Sequence, residues 1–267
     1  MYKMIGMYKC RPLRFYLAST LVVVSLLSTE AICPVGDCGS ALAKRGKHST
    51  VAGAVKEYGP LVRDRLKYRF ESRGFVYPPR KLTMIGLKDE RVLHIFTPDK
   101  KGKNELILSY PIVGVSGSPG PKLKEGDRQI PEGIYKIIGF KPNSIAHLAL
   151  LLNYPNKDDI KYARQEKRSN LGSDIEIHGS FWSTGCLAMG DSAIEEIFIL
   201  AHDTGLRGIE VILSPCNFNL KEPEVDMKTG PKWLPEVYSR LRERLAQFEI
   251  VKEISTTIPW NNQILSQ

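Results

Sequence analysis

Between residues 81 and 178 the apolar side chains arrive in six short bursts, at 81–87, 91–97, 105–115, 133–140, 146–153 and 174–178. Each burst is rich in Ile, Leu and Val. Charged turns such as Lys88-Asp89-Glu90 and Asp99-Lys100-Lys101-Gly102-Lys103-Asn104 separate the first of them. Runs this short, broken this often, predict antiparallel strands rather than helices. The pattern is different on either side. Val51, Val55, Tyr58, Val62, Leu66 and Phe70 recur every three to four residues, which predicts an amphipathic helix over 49–73, with Gly59-Pro60 as a point where it can split. After the strands, Ile194, Ile197, Phe198 and Ala201 form one face of a helix over 191–201, with Ser192 and Glu195 spaced as a capping box. A further strand is expected at 208–214, a charged helix at 231–248 and a strand-like stretch at 250–258. The expectation is a mainly β core with flanking α-helices. Residues 117–133 interrupt the strands: seven of these 17 are Gly or Pro. That density disfavours a strand and marks a loop suited to facing a substrate.

The chain has 267 residues, 42% hydrophobic and 25% charged, a globular composition that excludes disorder, collagen and coiled coil. Its net charge of +9 suits an anionic partner but is not by itself a nucleic-acid footprint. Part of that charge lies in the leader. Lys3, Lys9, Arg11 and Arg14 precede an apolar run from Phe15 to Leu27, and Thr29-Glu30-Ala31 offers a small-x-small cleavage site. This is the layout of a secretory signal peptide over 1–31, with an uncleaved membrane anchor as the alternative. Residues 32–46 then read as a linker. Export leaves four cysteines, Cys33, Cys38, Cys186 and Cys216, in an oxidising compartment. Cys33 and Cys38 are near enough in sequence to pair.

The chemistry concentrates in one segment, Ile175-Glu176-Ile177-His178-Gly179-Ser180-Phe181-Trp182-Ser183-Thr184-Gly185-Cys186. A strand ends in a histidine, a turn follows, and a cysteine comes eight residues later. Strand-turn-strand geometry can bring imidazole and thiol together, as nucleophilic cysteine catalysis requires. A backbone carbonyl near Gly179 would orient the ring, and the amides around Gly185 and Cys186 are candidates to hold an oxyanion. Three other readings stand beside this one: a Cys186–Cys216 disulfide, a core histidine at a strand end, and metal ligation. For the last, no second Cys or His lies at ligand spacing, so no metal and no cofactor is expected.

These residues carry a resemblance. His178-Gly179 followed by Ser183-Thr184-Gly185-Cys186 resembles the active-site signature of the YkuD-type L,D-transpeptidases. The block Gly126-Asp127-Arg128-Gln129-Ile130-Pro131-Glu132-Gly133-Ile134-Tyr135 is similar to a second element of that family, with Ile130 where Thr is usual. His147-Leu148-Ala149-Leu150 with Asn153-Tyr154-Pro155-Asn156 resembles the YafK-like branch. The resemblance spans about residues 80 to 215. It implies a β-sandwich or barrel-like catalytic domain acting on peptidoglycan stem peptides at meso-diaminopimelate through a cysteine thioester. It further implies Cys186 as nucleophile, His178 as base, Gly179 as the carbonyl that orients the ring, and Ser183, Thr184 and Gly185 as the turn around the nucleophile. The family's usual Arg two residues after the cysteine is absent here, where Leu187-Ala188-Met189 follows. Arg128, Lys122 and Lys124 are therefore the bases expected to hold a substrate carboxylate. His147, Tyr154 and Trp182 are further candidates for the cleft.

The resulting division is a signal peptide at 1–31, a linker and helix at 32–80, a catalytic domain at 81–218 and a helix-strand extension at 219–267. The expected partner is peptidoglycan, with a peptidoglycan-linked envelope protein in the branch whose members hydrolyse such links. No nucleic acid is expected, and the protein is expected to be a periplasmic monomer. A wall-binding module that keeps the fold without turnover is the rival from another class.

Overall fold

The computed structural model describes residues 50–250. The signal peptide, the Cys33–Cys38 pairing and nearly all of the strand expected at 250–258 lie outside the described residues. Helix α1 (Val51–Glu71) opens the fold, and strands β1 (Leu82–Leu87), β2 (Val92–Pro98) and β3 (Asn104–Pro111) follow. After a long loop come β4 (Gly133–Ser144), β5 (His147–Leu152), helix α2 (Lys157–Gln165) and β6 (Glu176–His178). The chain then runs through β7 (Leu187–Ala188), α3 (Asp191–Thr204), β8 (Ile209–Ser214) and α4 (Leu234–Leu245). Among the described residues no helix is long and apolar enough to cross a membrane.

The eight strands join in the order β3-β2-β1-β8-β4-β5-β6-β7. A mainly β core with flanking helices is thus what forms, but the sheet is mixed rather than wholly antiparallel. Strand β8 returns beside β1 in parallel, and β7 lies parallel to β6. Both faces are covered, which explains why β1 is buried at every position. Leu82 and Met84 join the core shared with α1 and α3, while Ile85 and Leu87 join a second core with α4.

Helix α1 is not split at Gly59-Pro60; Pro60 lies inside a continuous 21-residue helix, on its exposed side, where water can serve the carbonyl that lacks a helical donor. Thr50 caps its start by accepting from the Gly53 N–H. The capping box expected at Ser192 and Glu195 does not form. Gly190, at φ 78°, occupies the N-cap of α3 with no side-chain cap, and Glu195 is engaged elsewhere, by the His147 ring. Helix α2 was not legible as a helix: it is short and polar, and its start is set by a capping box between Asn156 and Asp159.

Candidate active site

His178 ends β6, with Ala149 of β5 on one side and Ala188 of β7 on the other. The residue is buried, and its Nδ1 lies 2.6 Å from the Gly179 carbonyl oxygen. A carbonyl only accepts, so Nδ1 carries the hydrogen and the neutral ring keeps a lone pair on Nε2. Burial lowers the imidazole's pKa, partly offset by the Gly179 hydrogen bond and the Glu176 carboxylate. Gly179 has no room for a side chain: a Cβ there would stand 2.6 Å from the Ala146 carbonyl oxygen and 2.7 Å from Asp191 Oδ1. That Asp191 oxygen also receives the Ser180 N–H, so the start of α3 fixes the turn leaving the histidine.

The thiol sits on a turn braced by Ser183. Its Oγ accepts from the Gly185 N–H at 3.2 Å and the Cys186 N–H at 3.0 Å, and donates to the Cys186 carbonyl at 2.7 Å. Gly185 adopts φ +123°, where a Cβ would meet the Gln129 carbonyl oxygen at 3.0 Å. The 117–133 loop therefore lies directly on this turn. Ser116 completes the join, donating to the Arg128 carbonyl at 2.8 Å and lying 3.3 Å from Ser183 Oγ. The Gly185 and Cys186 amides, expected as oxyanion donors, are both directed at Ser183 Oγ in this arrangement.

The sulfur itself accepts from the Glu176 N–H at 3.4 Å and faces the Asp174 carbonyl oxygen at 3.7 Å. Among the described residues no hydrogen bond joins it to His178. Burial pushes the thiol up to about 11, and the Glu176 N–H pulls the other way. At neutral pH the pair is therefore thiol and neutral imidazole. Cys186 and Cys216 are both free, and Cys216 is fully buried in the α4 core, so no disulfide joins them. Among the described residues no group of three His, Cys, Asp or Glu is placed to hold a metal ion.

The residues expected to bind substrate divide sharply. Lys122 is buried and committed to its own loop, donating to Asp127 Oδ1 at 2.7 Å and the Lys124 carbonyl at 2.9 Å. His147 is tied to Glu195 Oε1 at 2.9 Å and packs edge-on against Tyr58. Tyr154 is buried and donates to the Leu171 carbonyl at 3.0 Å. Each of these three thus has a polar atom engaged within the protein. Arg128 is different: it is exposed, and its guanidinium has no partner among the described residues. Lys124 is exposed too. Thr184 is exposed on the turn, and Trp182 leans over the histidine with ring centroids 5.7 Å apart.

Two groups escaped sequence reasoning. The first is Glu176 with Asp174 and Lys141, whose ammonium reaches both carboxylates beside the thiol. The period of two that puts Glu176 on the same strand face as His178 was visible, but Lys141 arrives only through the β4–β5 register. The second is a buried ion pair beneath the loop. Lys88 Nζ donates to Glu132 Oε1 at 2.7 Å and to the carbonyls of Gly120 and Ile130, while Tyr238 of α4 donates to Glu132 Oε2 at 2.7 Å.

Residues 82–207 match the family model described as the YkuD L,D-transpeptidase catalytic domain. The curated protein named "Putative L,D-transpeptidase YafK" from Escherichia coli K12 is 36% identical over 114 residues, covering 42% of this chain and 43% of that protein. Its counterpart in Escherichia coli O157:H7 gives the same values. The chain thus spans less than half the length of these curated relatives. Among solved structures, the helical cell shape determining protein Pgp2 from Campylobacter jejuni is similar with TM-score 0.43 and 19% identity, over 60% of this chain and 57% of that one. Bd1075 from Bdellovibrio bacteriovorus gives TM-score 0.38 and 24% identity, over 52% of this chain and 49% of that one.

Proposed function

We propose that this protein, whose residues 82–207 match the YkuD L,D-transpeptidase catalytic domain, is an exported cysteine acyltransferase acting on peptidoglycan stem peptides. The observation that carries the reading is the buried His178 with Nδ1 fixed on the Gly179 carbonyl, in the same strand-turn-strand unit as a free Cys186 on a Ser183-braced turn.

The chemistry runs on the two groups in sequence. Nε2 of His178 takes the thiol proton, and the sulfur attacks the carbonyl at the L-centre of meso-diaminopimelate. The tetrahedral intermediate collapses to a thioester as the departing amine takes the proton back from the imidazolium. An amine or water then attacks the thioester and frees the sulfur. A neutral thiol beside a neutral imidazole is the ground state from which this transfer begins, and substrate binding is expected to bring sulfur and Nε2 into hydrogen-bond reach. Arg128, exposed beside the Cys186 turn, is the base proposed to receive a substrate carboxylate.

A second reading, hydrolysis that releases a peptidoglycan-linked protein, is favoured by one observation. The positions after the nucleophile, Leu187 and Ala188, are buried as strand β7, so the cation that the family usually places there is missing. Incubating the purified protein with muropeptides, with and without an amine acceptor, and weighing the products separates the two. Amine incorporation means transfer; free tripeptide or released protein means hydrolysis. Cys186→Ala should retain the fold and lose turnover by at least about a thousandfold, as removal of a nucleophile does. Undiminished turnover in that variant would refute the cysteine mechanism.

A further inference from the structure

Lys141 of β4 stands opposite Ala149 of β5, which stands opposite His178 of β6. Directly paired residues of antiparallel strands share a face of the sheet, and Glu176, two residues before His178, shares it too. The small side chain of Ala149 leaves the lysine stem a path across β5. Its ammonium then reaches Glu176 Oε1 at 2.5 Å and Asp174 Oδ1 at 2.9 Å. These are the two residues whose backbone brackets the Cys186 sulfur, one through its N–H and the other through its carbonyl. Asp174 also holds φ 54°, a left-handed conformation that favours glycine and that the ion pair helps to retain.

We infer that Lys141 is a positioning residue for Cys186: its ammonium clamps Asp174 and Glu176, so that the sulfur keeps its N–H donor and the thiolate forms beside a neutralised carboxylate. The charged and titratable groups around the thiol are Glu176 and His178 from β6, Asp174 just before it, Lys141 from β4 and Lys122 from the loop. Lys122 is already satisfied by Asp127. Without Lys141, the bare Glu176 carboxylate becomes the dominant neighbour of the sulfur, and both sides of its cradle lose their tie.

The inference rests on Cys186 being the reacting thiol, and its test uses no peptidoglycan. Iodoacetamide alkylation of Cys186, followed by peptide mass spectrometry so that other cysteines do not interfere, gives a rate against pH for the full chain. Lys141→Met is expected to raise the apparent pKa of alkylation by about one unit, slowing the reaction at pH 8 about tenfold. Lys141→Arg keeps the charge and can fork to both carboxylates, so it should restore most of the rate. Glu176→Gln keeps the N–H but removes the charge, and should lower the apparent pKa; it supplies the same test should the Met variant misfold. A folded Lys141→Met protein with an unchanged or lowered profile, an Arg variant that behaves like Met, or an unmoved Glu176→Gln profile would each overturn the inference. A shifted profile in a protein inert towards muropeptides would leave it standing while removing the proposed function.

Discussion

Two thiols with raised pKa values make the folded state a weaker acid than the unfolded chain. Burial pushes Cys186 up to about 11 and Cys216 up to about 12, against an ordinary value of 9.0. Both folded pKa values are raised, so the stability they contribute is fully present below pH 9 and is lost as pH rises through the folded values. Urea midpoints measured from pH 8 to pH 11 should therefore fall steadily, and the Cys186→Ala, Cys216→Ala double variant should fall less. Equal slopes in the two proteins would contradict this assignment of the thiols. His178 acts at the other end of the range. Its folded pKa lies below the ordinary 6.5, so protonation of the unfolded chain costs stability as pH drops beneath that value. Cys216 gains a plain role from its surroundings: it fills the core under α4 and donates weakly to the Lys221 carbonyl at 3.5 Å, as a small buried hydrophobe.

At the scale of elements, helix α1 is held to α3 by charge as well as by apolar packing. Glu196 of α3, nearly buried, receives Arg65 at 2.9 Å, Arg69 at 2.8 Å and the Tyr110 hydroxyl at 2.8 Å. Two turns further on, Asp203 receives Arg63 through two 2.7 Å bonds and the Tyr77 hydroxyl at 2.8 Å. Glu196→Ala strands a buried tyrosine hydroxyl, and should cost about 2 kcal/mol in chemical denaturation while leaving Cys186 alkylation unchanged. The arginines are part-exposed, so most of that loss belongs to the carboxylate's buried side. The elements also show what a sequence can and cannot disclose. Strands β1 to β6 were readable because each is a short apolar run ended by a turn. The parallel return of β8 beside β1 was not, because strand order is written in no single segment. Helix α2 was missed because its few apolar residues, Ile160 and Tyr162 among them, give no sustained period. The histidine, the cysteine and the serine-braced turn were legible because they are contiguous. Lys141 was not, since 37 residues and two strand pairings separate it from His178. Lys122, His147 and Tyr154 show the converse: their types suit a binding site, but the sequence does not disclose the partners they have within the protein, Asp127, Glu195 and the Leu171 carbonyl.

At the scale of the whole molecule, one buried ion pair links the turn after β1 to helix α4. Lys88 and Glu132 are almost wholly shielded from water, and Glu132 is shared with Tyr238 of α4. Breaking such a pair from one side leaves an uncompensated charge in the interior. Lys88→Met is thus expected to destabilise the fold by about 3 kcal/mol, read as a lower urea midpoint. The Lys88→Met, Glu132→Gln double variant should recover part of the loss, and an additive double variant would argue against direct coupling. The same lysine holds the carbonyls of Gly120 and Ile130, and so the loop that rests on Gly185. A rod therefore runs from α4 through Glu132 and Lys88 to the seat of the thiol. The match to the family model stops at residue 207, whereas the mechanical unit carries on to Tyr238. Anyone trimming a clone to residue 207 would saw through that rod, and the excised fragment would keep the signature residues without the frame that aims them.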